Sequence, residues 1–276
     1  MKNLVWAILL FSCIKPNYVS AQQRIKGWVI SSSDSTALAY VNIGVVDKAL
    51  GTVTDQDGKF DLFIKKEVVR DSIRISMVGF ESITLPVSVF IEALAESPFI
   101  SMKEKVNELS QVIVTNEKLK EKVLGNRAKS RKSLYEATAD LLGSEIGVKI
   151  KIKKAPTYLK RFKTRLLTKR RDHFKFRLNL YDIKDGLPNE NLLTENILIE
   201  ASSIKDGWID LDLEPYDIQV EDDFFITLEW VQGNGKRKLR FPASLFGPLL
   251  VERETSQAKW NKHTVASIGF RVTVEY

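Results

Sequence analysis

The chain has 276 residues, 44% of them hydrophobic and 28% charged, with 14 Gly, 8 Pro, one Cys and two His, and a formal charge of +7. That hydrophobic share excludes a disordered chain, the low Gly and Pro content excludes a fibrous one, and a chain of this length buries a sizeable core in one domain or two. With so few His and Cys, a site built on those ligands is excluded too.

Residues 1–21 have the form of a secretory signal. Lys2 supplies the positive start, Leu4–Ile14 is an apolar run, and Val19-Ser20-Ala21 gives the small residues that precede cleavage. The apolar run is shorter than the ~18 residues that span a bilayer. Cys13 competes as a lipidation site, but bulky Phe11 precedes it where small residues are usual, so cleavage after Ala21 is the expectation. The mature chain then starts at Gln22, contains no Cys and is held by its core alone. The expected location is the periplasm or the outer membrane.

Next come short strands separated by turns: Ile25–Ile30, Tyr40–Val45, Gly51–Thr54, Lys59–Ile64, Asp71–Met77 and Ile83–Leu85. Asp57-Gly58, flanked by alternating runs, is a hairpin signal, because Gly tolerates the positive φ that such a turn needs. The acids Asp55, Asp57 and Asp61 have the spacing of part of a calcium loop, but Lys65 and Lys66 stand where a closing acid is required, so turn chemistry explains them better. Strands at this spacing indicate an antiparallel sandwich.

Several residues in this stretch resemble a known module: Ile25-x-Gly27-x-Val29, Ala39-x-Val41-Asn42-Ile43, Gly51-Thr52-x-Thr54-Asp55-x-x-Gly58-x-Phe60 and Ser76-x-x-Gly79-Phe80. Together they are similar to the carboxypeptidase-regulatory-like domain, over about 90 residues. The resemblance implies a transthyretin-like, seven-stranded β-sandwich over residues 22–115, of a kind common in exported proteins of the Bacteroidetes. Leu109–Thr115 also resembles the seam where this module meets the plug of TonB-dependent receptors, but 161 residues after it are too few for such a plug and barrel.

Residues 115–177 carry 20 basic and 6 acidic side chains, whereas 22–114 have a net charge of −2 and 178–276 of −7. An anionic partner is one reading of this block, and solvated strand faces and linker are the other. Residues 116–142 are expected to be a charged linker, with a short helix over Leu134–Leu142. Beyond Gly143, period-two alternation recurs in Val148–Ile152, Phe174–Tyr181, Trp208–Leu213, Phe225–Trp230 and Ile268–Tyr276, which predicts strands with one buried and one wet face. The expected fold class is therefore all-β, with a C-terminal antiparallel, jelly-roll-like sandwich over 143–276 following the N-terminal one. A small outer-membrane barrel fits less well, since its aromatic girdles are lacking. Phe176–Tyr181, Gly186-x-Pro188, Gly207–Leu213 and Phe224–Trp230 resemble a second domain often joined to the regulatory-like module, and imply architecture but no activity.

No catalytic motif accompanies these strands. Neither His173 nor His263 has the companion Glu and His of a zinc peptidase, and Gly143-Ser144 is not a nucleophile elbow. No catalytic residue, metal ligand or cofactor is expected. The expectation is a non-catalytic binding or assembly module of the envelope, with a carbohydrate-binding protein for acidic glycans as the alternative and a hydrolase a distant third. Aromatic rings present apolar faces to sugars, so Trp208, Trp230, Trp260, Tyr181 and Tyr216 are candidates, although large aromatics also fill cores. Trp208 and Trp230, with Lys149, Lys151 and Lys153, are the candidate ligand-binding residues. A polysaccharide or an envelope protein is the expected partner, peripheral membrane association is compatible with the charge, and nucleic acid is not expected.

Overall fold

In the computed structural model, residues 22–105, 119–139, 141–167, 174–233 and 237–276 are described. The signal segment, the Leu109–Thr115 seam, Lys169–Arg171 and His173 lie outside them. The N-terminal strands are β1 (Gln22–Ser31), β2 (Asn42–Val45), β3 (Gly51–Val53), β4 (Lys59–Lys65), β5 (Ser72–Ser76) and β6 (Ile83–Pro86). Helix α1 (Val87–Glu96) and β7 (Phe99–Met102) follow. Alternation directs Ile25, Val29, Ile43, Val45, Phe60, Leu62, Ile73 and Ile75 into one core between sheets ordered β4-β1-β7 and β3-β2-β5-β6. Seven strands in two sheets match the sandwich expected from the sequence. Pro86, in extended conformation, immediately precedes helix α1, and Val87, Phe90, Ile91 and Leu94 put its apolar stripe on this core.

The Asp57-Gly58 turn is not a hairpin. Gly58 has positive φ (71°), but β3 pairs with β2 and β4 with β1, so the turn passes the chain from one sheet to the other. Asp55 closes it, its carboxylate accepting from the amides of Asp57 and Lys59 at 2.9 Å each. A two-residue strand hairpin is made instead by Asp185-Gly186, where both residues have positive φ (54° and 70°), as a type I′ turn requires, and Asp206-Gly207 (49° and 81°) repeats that turn between Lys205 and Trp208.

The C-terminal strands are β8 (Glu121–Gly125), β9 (Leu134–Ala139), β10 (Glu145–Ile150), β11 (Thr157–Arg165), β12 (Lys175–Lys184), β13 (Leu187–Asn191), β14 (Ile197–Glu200), β15 (Trp208–Asp212), β16 (Gln219–Val220), β17 (Phe224–Gln232), β18 (Arg237–Leu245), β19 (Leu250–Arg253), β20 (Asn261–His263), β21 (Ala266–Ile268) and β22 (Arg271–Glu275). One sheet runs β13-β12-β17-β10-β19-β20, with β14 also on β12. A second runs β15-β11-β22-β8, with β16 on β11, and a third runs β21-β18-β9. The chain steps between the first two at β10, β11, β12, β15 and β17, as in a jelly roll. Their inner faces share one core, in which Phe270 packs edge-on against Phe162 (5.1 Å) and Phe241 (5.6 Å).

Two expectations for the middle of the chain give way here. Residues 121–125 form β8 rather than linker, and Leu134–Ala139 is strand β9 rather than helix. Pairing with β22 and β18 outweighs local propensity in both segments.

Candidate functional site

Alternation on β12 puts Phe176, Leu178 and Leu180 into the core and Arg177, Asn179 and Tyr181 on the opposite face. Their cross-strand neighbours on that face are Glu229 and Thr227 of β17, then Glu145 of β10 and Arg253 of β19. The sequence predicts a wet face here. The structure buries it: Arg177 is 1% exposed, Asn179 1%, Glu145 3% and Glu229 0%. The N-terminal sandwich supplies the cover.

Buried charges must be paired and hydrogen-bonded. Arg177 donates from Nη2 (2.7 Å) and Nε (2.9 Å) to Oε2 of Glu229, and from Nη1 (2.8 Å) to the Tyr40 carbonyl of the N-terminal sandwich. Asn179 Nδ2 donates to both Glu145 and Glu229 at 2.9 Å. Glu145 also accepts from Arg253 Nη2 (2.5 Å), from the Tyr181 hydroxyl (3.3 Å) and from the Thr227 hydroxyl. Burial works against the Arg253 charge, but Glu145, Tyr181 and Glu229 outweigh it and raise its pKa. Burial, then Glu145, hold the Tyr181 phenol protonated well above its ordinary 10.0. Two arginines thus meet two glutamates, and the floor has no net charge.

Close contact between the sandwiches is permitted by small residues. A Cβ on Gly44 would run into the Ser256 carbonyl, and one on Gly51 would lie 2.5 Å from the same oxygen. Ser256 Oγ donates to Asn42 (3.0 Å), Gln257 Nε2 to Ser76 (2.8 Å), and the Tyr40 hydroxyl to Gln232 (2.8 Å). Beside this seam a cleft of about 480 Å³ remains open. Asn42, Arg74 and Ser76 line one wall, Asn189 and Asn191 the mouth, and Arg177, Asn179, Tyr181 and Arg253 the floor. In the network behind this floor, Glu229 Oε1 and Arg253 Nε are fully buried and have no hydrogen-bond partner; Arg253 lines the cleft, and Glu229 lies beneath its lining. Asn191 donates to Asn179 Oδ1 at 3.0 Å and so links the mouth to the floor.

The residues singled out from the sequence do not form one site. Trp230 is 3% exposed within the core, and its N–H donates to the Gln232 carbonyl, so its ring presents no face to a ligand. A large apolar ring on the inward side of a doubly covered sheet is a packing element. Lys149 pairs with Asp223 at 3.1 Å in a separate groove that Asp182, Glu221 and Asp222 also line, so its charge is already answered. Strand β10 ends at Ile150, and Lys151 and Lys153 follow it as exposed residues. Trp208 is half-buried on the outer face of the β15-β11-β22-β8 sheet, and three cations approach its ring: Arg271 at 5.0 Å, Arg165 at 5.2 Å and Lys163 at 5.4 Å. Lys163 and Arg161 both bind Asp210, whereas Arg165 and Arg271 have no carboxylate partner among the described residues. Tyr181 lies in the cleft floor, with Trp260 edge-on to it (5.9 Å) and under the Arg253 guanidinium (4.6 Å). Tyr216 packs against the C-terminal core.

Sequence reasoning missed Arg177, Asn179, Glu145, Glu229 and Arg253. Their one signal is a strand that alternates apolar residues with Arg, Asn and Tyr, all able to hydrogen-bond in planar groups, where a solvated face more often carries Lys or Glu.

Residues 25–114 match the family model of the CarboxypepD_reg-like domain, so the N-terminal sandwich carries this non-catalytic β-sandwich module. The nine matched residues 106–114 lie outside the described ones. No curated protein matches the chain. A solved chain titled "Structure of infectious bursal disease virus Gx strain" aligns with a TM-score of 0.25 and 10% identity, over 92% of this chain. The match covers 63% of that longer chain, and at this TM-score it carries no argument about fold or function.

Proposed function

We propose that this is a non-catalytic, exported envelope protein that acts as a binding or assembly module, and that the cleft between its two sandwiches holds the ligand. The single observation that carries the reading is the cleft floor, where Arg177, Asn179, Tyr181 and Arg253 are buried and held in a charge-balanced hydrogen-bond network with Glu145 and Glu229. A neutral ligand bearing hydroxyl or amide groups suits such a floor, because it can hydrogen-bond to the polar lining without adding a buried charge. Export rests on the form of residues 1–21.

The test is binding of the full chain to a panel of neutral and acidic polysaccharides and envelope peptides, beside an Asn189→Trp variant that fills the exposed mouth. Binding to a neutral member that the variant loses supports the reading. Binding that the variant leaves intact, or a hydrolytic activity removed by one point change, sinks it.

A second reading, recognition of acidic glycans, is favoured by the Trp208 face. There Arg165 and Arg271 sit on an aromatic ring with no acid among the described residues to neutralise them, which fits an anionic chain laid across the strands. Such binding weakens at high salt. Salt-insensitive binding counts against it.

A further inference from the structure

At the end of β18 the chain exposes large apolar side chains where it could have hidden them. Leu245 is 69% exposed, Phe246 82% and Val265, across the turn, 57%. Phe246 has a φ of +53°, a conformation unfavourable for a bulky side chain, and its amide donates to the Val265 carbonyl at 2.9 Å. Apolar area held in water on a strained backbone is an energetic cost with no return inside the fold, so it points outward to something that covers it.

The adjoining loop indicates what that is. Residues 126–133 lie along the same end of β18: Asn126 Nδ2 donates to Ser244 Oγ at 2.8 Å, and the Ala243 amide donates to the Ser133 carbonyl at 2.9 Å. Between those two anchors the loop presents Arg127, Lys129, Arg131 and Lys132, all exposed, with no acidic residue among them. The result is a projecting apolar tip beside four cations. A second copy of the chain would bring its own four cations against these. An anionic bilayer instead takes up the apolar groups at its acyl boundary while its headgroups meet the cations.

We propose that this end of the C-terminal sandwich is a docking tip for an anionic lipid surface, with Leu245, Phe246 and Val265 entering the interface and Arg127, Lys129, Arg131 and Lys132 contacting headgroups. The proposal is independent of the cleft and of the Trp208 face.

The test uses the full chain with Phe246→Cys in a Cys13→Ser background, carrying a polarity-sensitive fluorophore at position 246. That readout reports the tip alone, whatever residues 1–21 contribute to sedimentation. Vesicles of phosphatidylcholine and phosphatidylglycerol at 3:1 are expected to shift the emission to the blue, and pure phosphatidylcholine vesicles to do so far less. Arg131→Ala with Lys132→Ala should weaken the apparent affinity by about tenfold or more, and Leu245→Ser with Val265→Ser by a similar factor. The proposal is overturned if the emission stays water-like while the chain sediments with the vesicles. A blue shift that grows with protein concentration in the absence of vesicles overturns it too, since a second copy would then be the cover.

Discussion

The two large sheets of the C-terminal sandwich share one core, and each turns a charged face away from it, yet the two faces follow opposite rules. On the β12-β17-β10-β19 face Arg177, Arg253, Glu145 and Glu229 are covered and joined in one network, with Lys175 and Lys149 paired beside it to Glu200 and Asp223, because an unpaired ion under a second sandwich is too costly to keep. On the β15-β11-β22 face the charges are only partly covered: Arg165, whose Nε is buried, and Arg271 have no carboxylate among the described residues, and Asp210 serves both Arg161 and Lys163. Burial, rather than the presence of charge, decides whether balance is compulsory. The buried face holds the molecule together, while the exposed one leaves Arg165 and Arg271 without a carboxylate among the described residues.

The sharpest way to break this comparison is to remove one acid from each face. Glu229→Ala leaves Arg177 buried without its carboxylate and should cost about 3–5 kcal/mol in urea unfolding, whereas Asp210→Ala should cost no more than about 1 kcal/mol. Equal losses would mean that the network is wet in solution. Gly44→Val, which drives a side chain into Ser256, should lose about 1–3 kcal/mol and open the seam to limited proteolysis.

The pH dependence separates the faces again. Tyr181 has a raised pKa in the folded state, so its contribution is present in full below pH 10 and is lost as pH rises through the folded value. Wild-type stability should therefore fall above pH 10 by up to about 1.4 kcal/mol per pH unit more steeply than in Tyr181→Phe. Replacing Arg165 and Arg271 together by Ala should leave stability within about 0.5 kcal/mol, yet weaken dextran sulfate binding about tenfold at low salt. The smallest effect belongs to Asp210. Its partial burial favours the neutral acid, but Lys163 and Arg161 outweigh that and lower its pKa below the ordinary 3.8. Its contribution is thus present above pH 3.8 and lost as pH falls through the folded value. Asp210→Asn should be less stable than wild type at pH 7, and the difference should shrink as pH falls below 3.8.

The strands of the N-terminal sandwich were legible because each face signal there is local. Ile43, Val45, Ile73 and Ile75 mark the core by alternation, and the Gly and Asp residues mark the turns. The same rule located β12, β15, β17 and β22 in the C-terminal half. It failed where a long-range partner outweighed the local pattern: β9 is a strand because β18 lies beside it, and β8 because β22 does. It also misread the Asp57-Gly58 turn, since the pairing of the flanking strands makes Asp185-Gly186 a hairpin and Asp57-Gly58 a crossover between sheets.

Composition, alternation and turn residues by themselves determined an all-β chain with two sandwiches and no catalytic motif, and the resemblance of its N-terminal motifs put the regulatory-like module first. Alternation reports only that two faces of a strand differ. It does not say whether water or another sandwich covers the polar one. Tertiary structure alone decided that Arg177, Asn179 and Glu229 are buried, that Trp230 is core, and that Trp208 carries cations at the surface. Each of those outcomes depends on which distant segment arrives to exclude water, and no window of neighbouring residues contains that segment.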